Sequence, residues 1–255
     1  MFVELLKAQI RGLVAAGVLV VTPPFFYIIS VNEEAKKRVS QVIYVHEQHD
    51  KRMVRPNGKT AGILFFIAST QVVLGLIVAE ALYPSYSVSS NYISDLGVGP
   101  SSVIFNSSIF LLGFLSIIGA YFLPRTVDFT GLTVLLVLMA VGAMGAGIFT
   151  SAFTAIHGVM SSTAFVFGGV SAIVSFKVLK KPLSAMSVVL GLMALGAFVL
   201  FAGGLLTSGA YTSSEAQNSD FFLGLGPGGM ERMIVYPALI WLAGFGGHLI
   251  ALSEK

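Results

Sequence analysis

Seven runs of about 20 mostly apolar residues divide the chain, at residues 12–31, 61–83, 101–123, 131–151, 156–176, 184–206 and 233–252. The hydrocarbon core of a bilayer is about 30 Å thick, and a helix rising about 1.5 Å per residue crosses it in about 20 residues. Inside lipid, water cannot satisfy the backbone N–H and C=O groups, so such runs are expected to be helical. The predicted fold is therefore all-α: a polytopic transmembrane bundle of seven spans, with one N-terminal span ahead of a six-span core. With 55% of residues hydrophobic and only 11% charged, the chain cannot build a water-soluble surface. The absence of cysteine excludes disulfides and thiolate metal ligands.

The run at 12–31 differs from a cleavable signal, because Glu4 accompanies Lys7 and Arg11 ahead of it and no small-residue cleavage site follows Pro23-Pro24. It is read as a span kinked at those prolines, with a re-entrant path as the alternative. Residues 1–59 thus form an N-terminal helix and a basic segment, and residues 60–255 form the core. Lys36, Lys37, Arg38, Lys51, Arg52, Arg55, Lys59, Arg125, Lys177, Lys180, Lys181 and Lys255 all fall on one side of this layout. The positive-inside rule makes that side cytoplasmic. The expectation is a multi-pass plasma-membrane protein with its C-terminus inside and its N-terminus outside.

Two polar stretches interrupt the apolar pattern in the same way. Ser94–Pro100 reads SDLGVGP and Ser219–Pro227 reads SDFFLGLGP, and Tyr86 and Tyr211 stand upstream of the two aspartates at equal distance. Both stretches link an outgoing span to a returning one. A duplication arranged as three spans, a linker span and three spans accounts for this, and shared turn chemistry at Gly-Pro is the alternative.

Ionisable residues in or beside membrane spans are rare enough to mark candidate sites. His157, Glu231, Arg232, Asp95 and Asp220 fall on the outer side, with Tyr86, Asn91, Tyr211 and Asn218 near them in sequence. Together they could line a polar cavity for a headgroup or small solute. The structural alternative has Asp95 and Asp220 capping turns, Arg232 paired with Glu231 or a loop, and His157 donating to a carbonyl. His248 sits about 22 Å deeper than His157 at helical rise, so the two cannot share a haem or a zinc. In the basic segment, His46, His49 and Asp50 have the i, i+3, i+4 spacing of a helical metal site but no closed ligand set. Solvation near anionic lipid headgroups explains that segment more simply. No cofactor, resident metal or nucleic-acid partner is expected.

YISDLGVGPSSVIFNSSIFLLGF at Tyr92–Phe114 and GAGIFTSAFTAIHGVMSSTAF at Gly145–Phe165 resemble the DUF998 family, an uncharacterised group of polytopic prokaryotic membrane proteins. Ser94, Leu96 and Gly97 match its Ile-Ser-x-Leu-Gly stretch, and Gly147, Phe149 and His157 match its Gly-x-Phe and downstream histidine. Thr150 and Ser151 stand where members often carry Pro and Asp. The resemblance covers residues 60–252 and implies the six-span core without implying an activity.

Three functions fit these residues. No nucleophile elbow, phosphate loop or dinucleotide fingerprint is present, so the leading reading is a non-catalytic accessory or structural subunit of a membrane assembly. Its partners would be lipids, other membrane subunits or a second copy. The second reading is a binding or transport protein for a lipid headgroup or small solute, using the outer cavity. The third is a membrane hydrolase or transferase with His157 as general base and Glu231 as acidic partner.

Overall fold

The computed structural model describes residues 18–21, 27–30, 57–123, 127, 129–208 and 220–254. The chain forms two units, Met1–Val54 and Arg55–Lys255. In the first, β1 (Val18–Val21) pairs antiparallel with β2 (Tyr27–Ser30), Val18 opposite Ser30 and Val21 opposite Tyr27. This corrects the helical span expected over 12–31. Val-Leu-Val-Val and Tyr-Ile-Ile are strand-favouring sequences, and Pro23-Pro24 between them would remove two amide donors from any helix running through. Strands of four residues are too short to cross a bilayer, so the expected outer N-terminus loses the helical crossing it depended on. His46, His49 and Asp50, like the rest of the basic segment up to residue 56, lie outside the described residues, as do Tyr211 and Asn218.

Among the described residues, the second unit contains six long helices: α1 (Asn57–Leu82), α2 (Ser102–Phe122), α3 (Thr130–Ile148), α4 (Thr154–Val174), α5 (Leu183–Ser208) and α6 (Gly226–Ser253). Each is long and apolar enough to span a membrane, so the protein is a multi-pass helical membrane protein. Each helix packs on its sequence neighbours, and α6 packs back on α1, closing a ring. The α4–α5 contact is the loosest in that ring. An even number of crossings returns the chain to its starting side, and Lys59 at the head of α1 meets Glu254 at the tail of α6 at 3.2 Å.

The distribution of side chains is that of a membrane protein. Leu74, Ile77, Val103, Val199 and Leu206 are exposed, at no cost where the solvent is lipid. Ala61, Ala68, Ser69, Ala140, Ser171 and Ala172 are buried, because small residues let backbones approach where no hydrophobic force separates lipid from protein. Gly62 on α1 and Gly246 on α6 show the limit of this. A Cβ on either one would sit 2.6 Å from the other's carbonyl oxygen.

At the end of the bundle away from Lys59, the connections fold into short 3-10 turns at Ile93–Gly97, Ser151–Phe153 and Asp220–Phe222. Helix α6 begins at Gly226 rather than near residue 233, because Pro227 in its first turn is preset for a helix. Glu231 and Arg232 therefore lie within the bundle rather than at a helix mouth.

Candidate functional site

Arg232 organises this end. Its guanidinium donates to the carbonyls of Val88 (2.8 Å) and Gly228 (3.0 Å), to Glu80 Oε1 on α1 (2.5 Å) and to the Tyr86 hydroxyl (2.9 Å). Tyr86 in turn donates to the Tyr92 carbonyl at 2.9 Å and lies beneath the guanidinium, 5.6 Å from its ring centroid. Burial pushes the Tyr86 hydroxyl up to about 12, against the hydrogen bond and charge of Arg232, which pull it down. The neutral hydroxyl is the form this arrangement uses, since it both accepts and donates. The loop 83–101 is thereby held to α1 and α6 by one buried cation.

Next to Arg232 in sequence, Glu231 faces a different set of partners. It is 6% exposed and accepts a hydrogen bond from the Ile93 amide at 2.6 Å. Asp95, one turn on, accepts from the Tyr92 amide at 3.0 Å and from Asn91 Nδ2 at 3.3 Å, so a single 3-10 turn binds two carboxylates through its backbone. Ser151 Oγ donates to the Ser94 carbonyl at 3.2 Å and ties the α3–α4 connection to the same turn.

His157 stands in the first turns of α4. Its Nδ1 lies 2.7 Å from the Phe149 carbonyl, which can only accept, so Nδ1 carries a proton. In the neutral ring Nε2 is then an acceptor, and Ser161 Oγ lies 3.2 Å from it. This use of a helical serine is unusual in the bundle. Ser69, Thr70, Thr163, Ser175 and Thr207 all turn their hydroxyls back to carbonyls of the preceding turn.

These groups open onto one cavity of about 650 Å³ between α4 and α5. Ser94, Asp95, His157, Ser161 and Glu231 contribute polar groups to it, together with the hydroxyls of Ser151, Thr154, Ser162 and Thr163, and Tyr92, Phe165, Phe198, Phe201, Ala202 and Leu205 contribute apolar surface. A smaller void of about 100 Å³ continues from the same Ser94, His157, Ser161 and Glu231 toward Leu76, Phe105 and Met139 in the bundle centre. Of the residues singled out by sequence, the structure brings Asp95, His157 and Glu231 together on the cavity. Tyr86, Asn91 and Arg232 stand behind it as supports, with Arg232 paired to Glu80 rather than to Glu231. Asp220 is exposed in its own 3-10 turn and does not line the cavity. Ser94, named above only as part of a motif, joins Ser161 and the aromatic wall as lining that the sequence does not mark as a site. The i, i+4 spacing of His157 and Ser161 is the one signal that could have marked the serine.

Residues 66–248 match the family described as "Protein of unknown function (DUF998)". No curated protein and no solved structure matches the chain.

Proposed function

We propose that this chain, which belongs to the DUF998 family, is a membrane protein that binds one amphiphile in the α4–α5 cleft, with the polar head at Asp95, His157 and Glu231 and the hydrocarbon against Ala202 and Leu205. The observation that carries this reading is the cavity itself. Its 650 Å³ falls in the range of small-molecule sites, and its lining combines two carboxylates and an imidazole with aromatic and aliphatic side chains. The loose α4–α5 contact offers a lateral route from the bilayer. Lys59, Lys177, Lys180 and Lys181 lie at the opposite end of the bundle from the cavity. By the positive-inside rule that end is cytoplasmic, which makes the cleft a feature of the outer leaflet of the plasma membrane. A 3-10 turn at each Ser-Asp sequence and a helix beginning at or just after each Gly-Pro support a duplication in which α1–loop–α2 corresponds to α5–loop–α6.

Filling the cleft tests this directly. Ala202→Trp places an indole in the space the hydrocarbon would occupy. Native mass spectrometry of protein extracted in mild detergent should find a stoichiometric bound amphiphile in the parent chain and none in the variant. A parent chain that emerges with partner subunits and no small molecule would instead favour the accessory-subunit reading.

The Ser161–His157 hydrogen bond favours a second reading, a hydrolase or acyltransferase in which His157 removes the Ser161 proton. Its consequence is specific: Ser161→Ala would abolish turnover of an ester-linked amphiphile yet leave its binding intact. Hydrolysis that persists in that variant would end this reading and leave binding as the function.

A further inference from the structure

Starting from the cleft as an amphiphile site, we propose that the head it recognises is an alkylammonium cation, held by Asp95 and Glu231 within a cage of Tyr92, Phe165, Phe198 and Phe201. Charge is the first argument. Among the described residues lining the cavity there are two carboxylates and one imidazole, but no lysine or arginine. Arg232, next to Glu231 in sequence, does not line the cavity and is already matched by Glu80. An anionic head such as a phosphate monoester would enter with His157 as its only candidate cation and two carboxylates opposing it.

The aromatic wall is the second argument, and it is independent of charge. Tyr92 and Phe201 meet edge to face with centroids 5.6 Å apart, and Phe165 and Phe198 do the same at 6.1 Å. All four line the one cavity. Aromatic faces attract cations within about 6 Å of the ring centroid, and the attraction grows when the cation is desolvated. Methylated ammonium groups suit such surfaces because their charge is spread over carbons that need no hydrogen bonds. Carboxylates beside aromatic faces therefore select a cation that is both charged and greasy, whereas a hydrated metal ion would gain little from the rings.

Both carboxylates are also held in place before any ligand arrives. Glu231 is fixed by the Ile93 amide and Asp95 by the Tyr92 amide, so neither has to be ordered on binding. The same turn contributes Tyr92, so one wall of the cage, Asp95 and the amide that fixes Glu231 stand on a single backbone segment.

The test is thermal unfolding in dodecyl maltoside micelles doped with probes of equal chain length. Dodecyltrimethylammonium should raise the midpoint by about 5 °C when it is well above its dissociation constant, and dodecyl phosphate should not. The shift should vanish in Glu231→Gln and shrink in Phe198→Leu; Asp95→Asn, which keeps an acceptor for the Tyr92 amide, provides a third variant should either of those fold poorly. Tetramethylammonium separates the two sources of such a cation. A shift from it alone would identify a free quaternary ammonium as the ligand, and no shift would identify the lipid. Equal stabilisation by dodecyl phosphate, or a shift unchanged in Glu231→Gln and Asp95→Asn, overturns the head assignment while the cleft stands. A shift that survives Ala202→Trp overturns the cleft itself.

Discussion

Arg232→Met is expected to destabilise the bundle by about 3–5 kcal/mol, the usual cost of breaking a buried ion pair by removing one partner. The variant leaves Glu80, whose side chain is 22% exposed, without its cation. It also deprives the Val88 carbonyl and the Tyr86 hydroxyl of their donor. Lysine should rescue little, because one ammonium cannot reach α1, the loop and Tyr86 from a single point as the guanidinium fork does. The measurement is unfolding in detergent of the single variants and of Glu80→Gln combined with Arg232→Met. The double variant should lose clearly less than the sum of the singles, since it removes the stranded charge. Strict additivity would mean that the pair is not coupled and that the loop is held by other contacts.

The reach of the sequence differs from residue to residue. The six spanning helices were legible because lipid allows a long apolar run few other structures, and their observed ends lie within a few residues of the expected ones, apart from the start of α6. The run at 12–31 misled because the apolar-length rule takes no account of β-branched residues flanking a proline pair. Asp95, His157 and Glu231 could be picked out because an ionisable group near the membrane stands out against an apolar background. Glu80 is ionisable too, but its role rests on a partner 152 residues away, a distance no local pattern bridges. Phe165, Phe198 and Phe201 were invisible for the opposite reason. In a spanning helix a phenylalanine facing a cleft reads the same as one facing lipid, and only the ring closure of the bundle separates the two.

That closure also makes the site depend on one glycine that does not itself line the cavity. Gly228, at the head of α6, donates its amide to the Ser89 carbonyl at 2.9 Å, and a Cβ there would run into the carbonyl oxygens of Asn91 and Val88. Those atoms are backbone and cannot swing aside. Gly228→Val should therefore lift residues 88–91 from α6, break the Arg232 bond to Val88 and draw the Ile93 amide away from Glu231. Overpacking of this kind costs about 1–3 kcal/mol by itself, and the lost hydrogen bonds add to it. The expected result is a lower unfolding midpoint together with loss of the bound amphiphile. Gly244 on the same helix is the matched control, since a Cβ there meets nothing within 4 Å, and Gly244→Ala should leave both properties unchanged. If Gly228→Val lowers the midpoint but keeps the amphiphile, the 3-10 turn at Ile93–Gly97 holds its carboxylates without help from the α6 contact. In that case the order of dependence runs from the site to the loop rather than from the loop to the site.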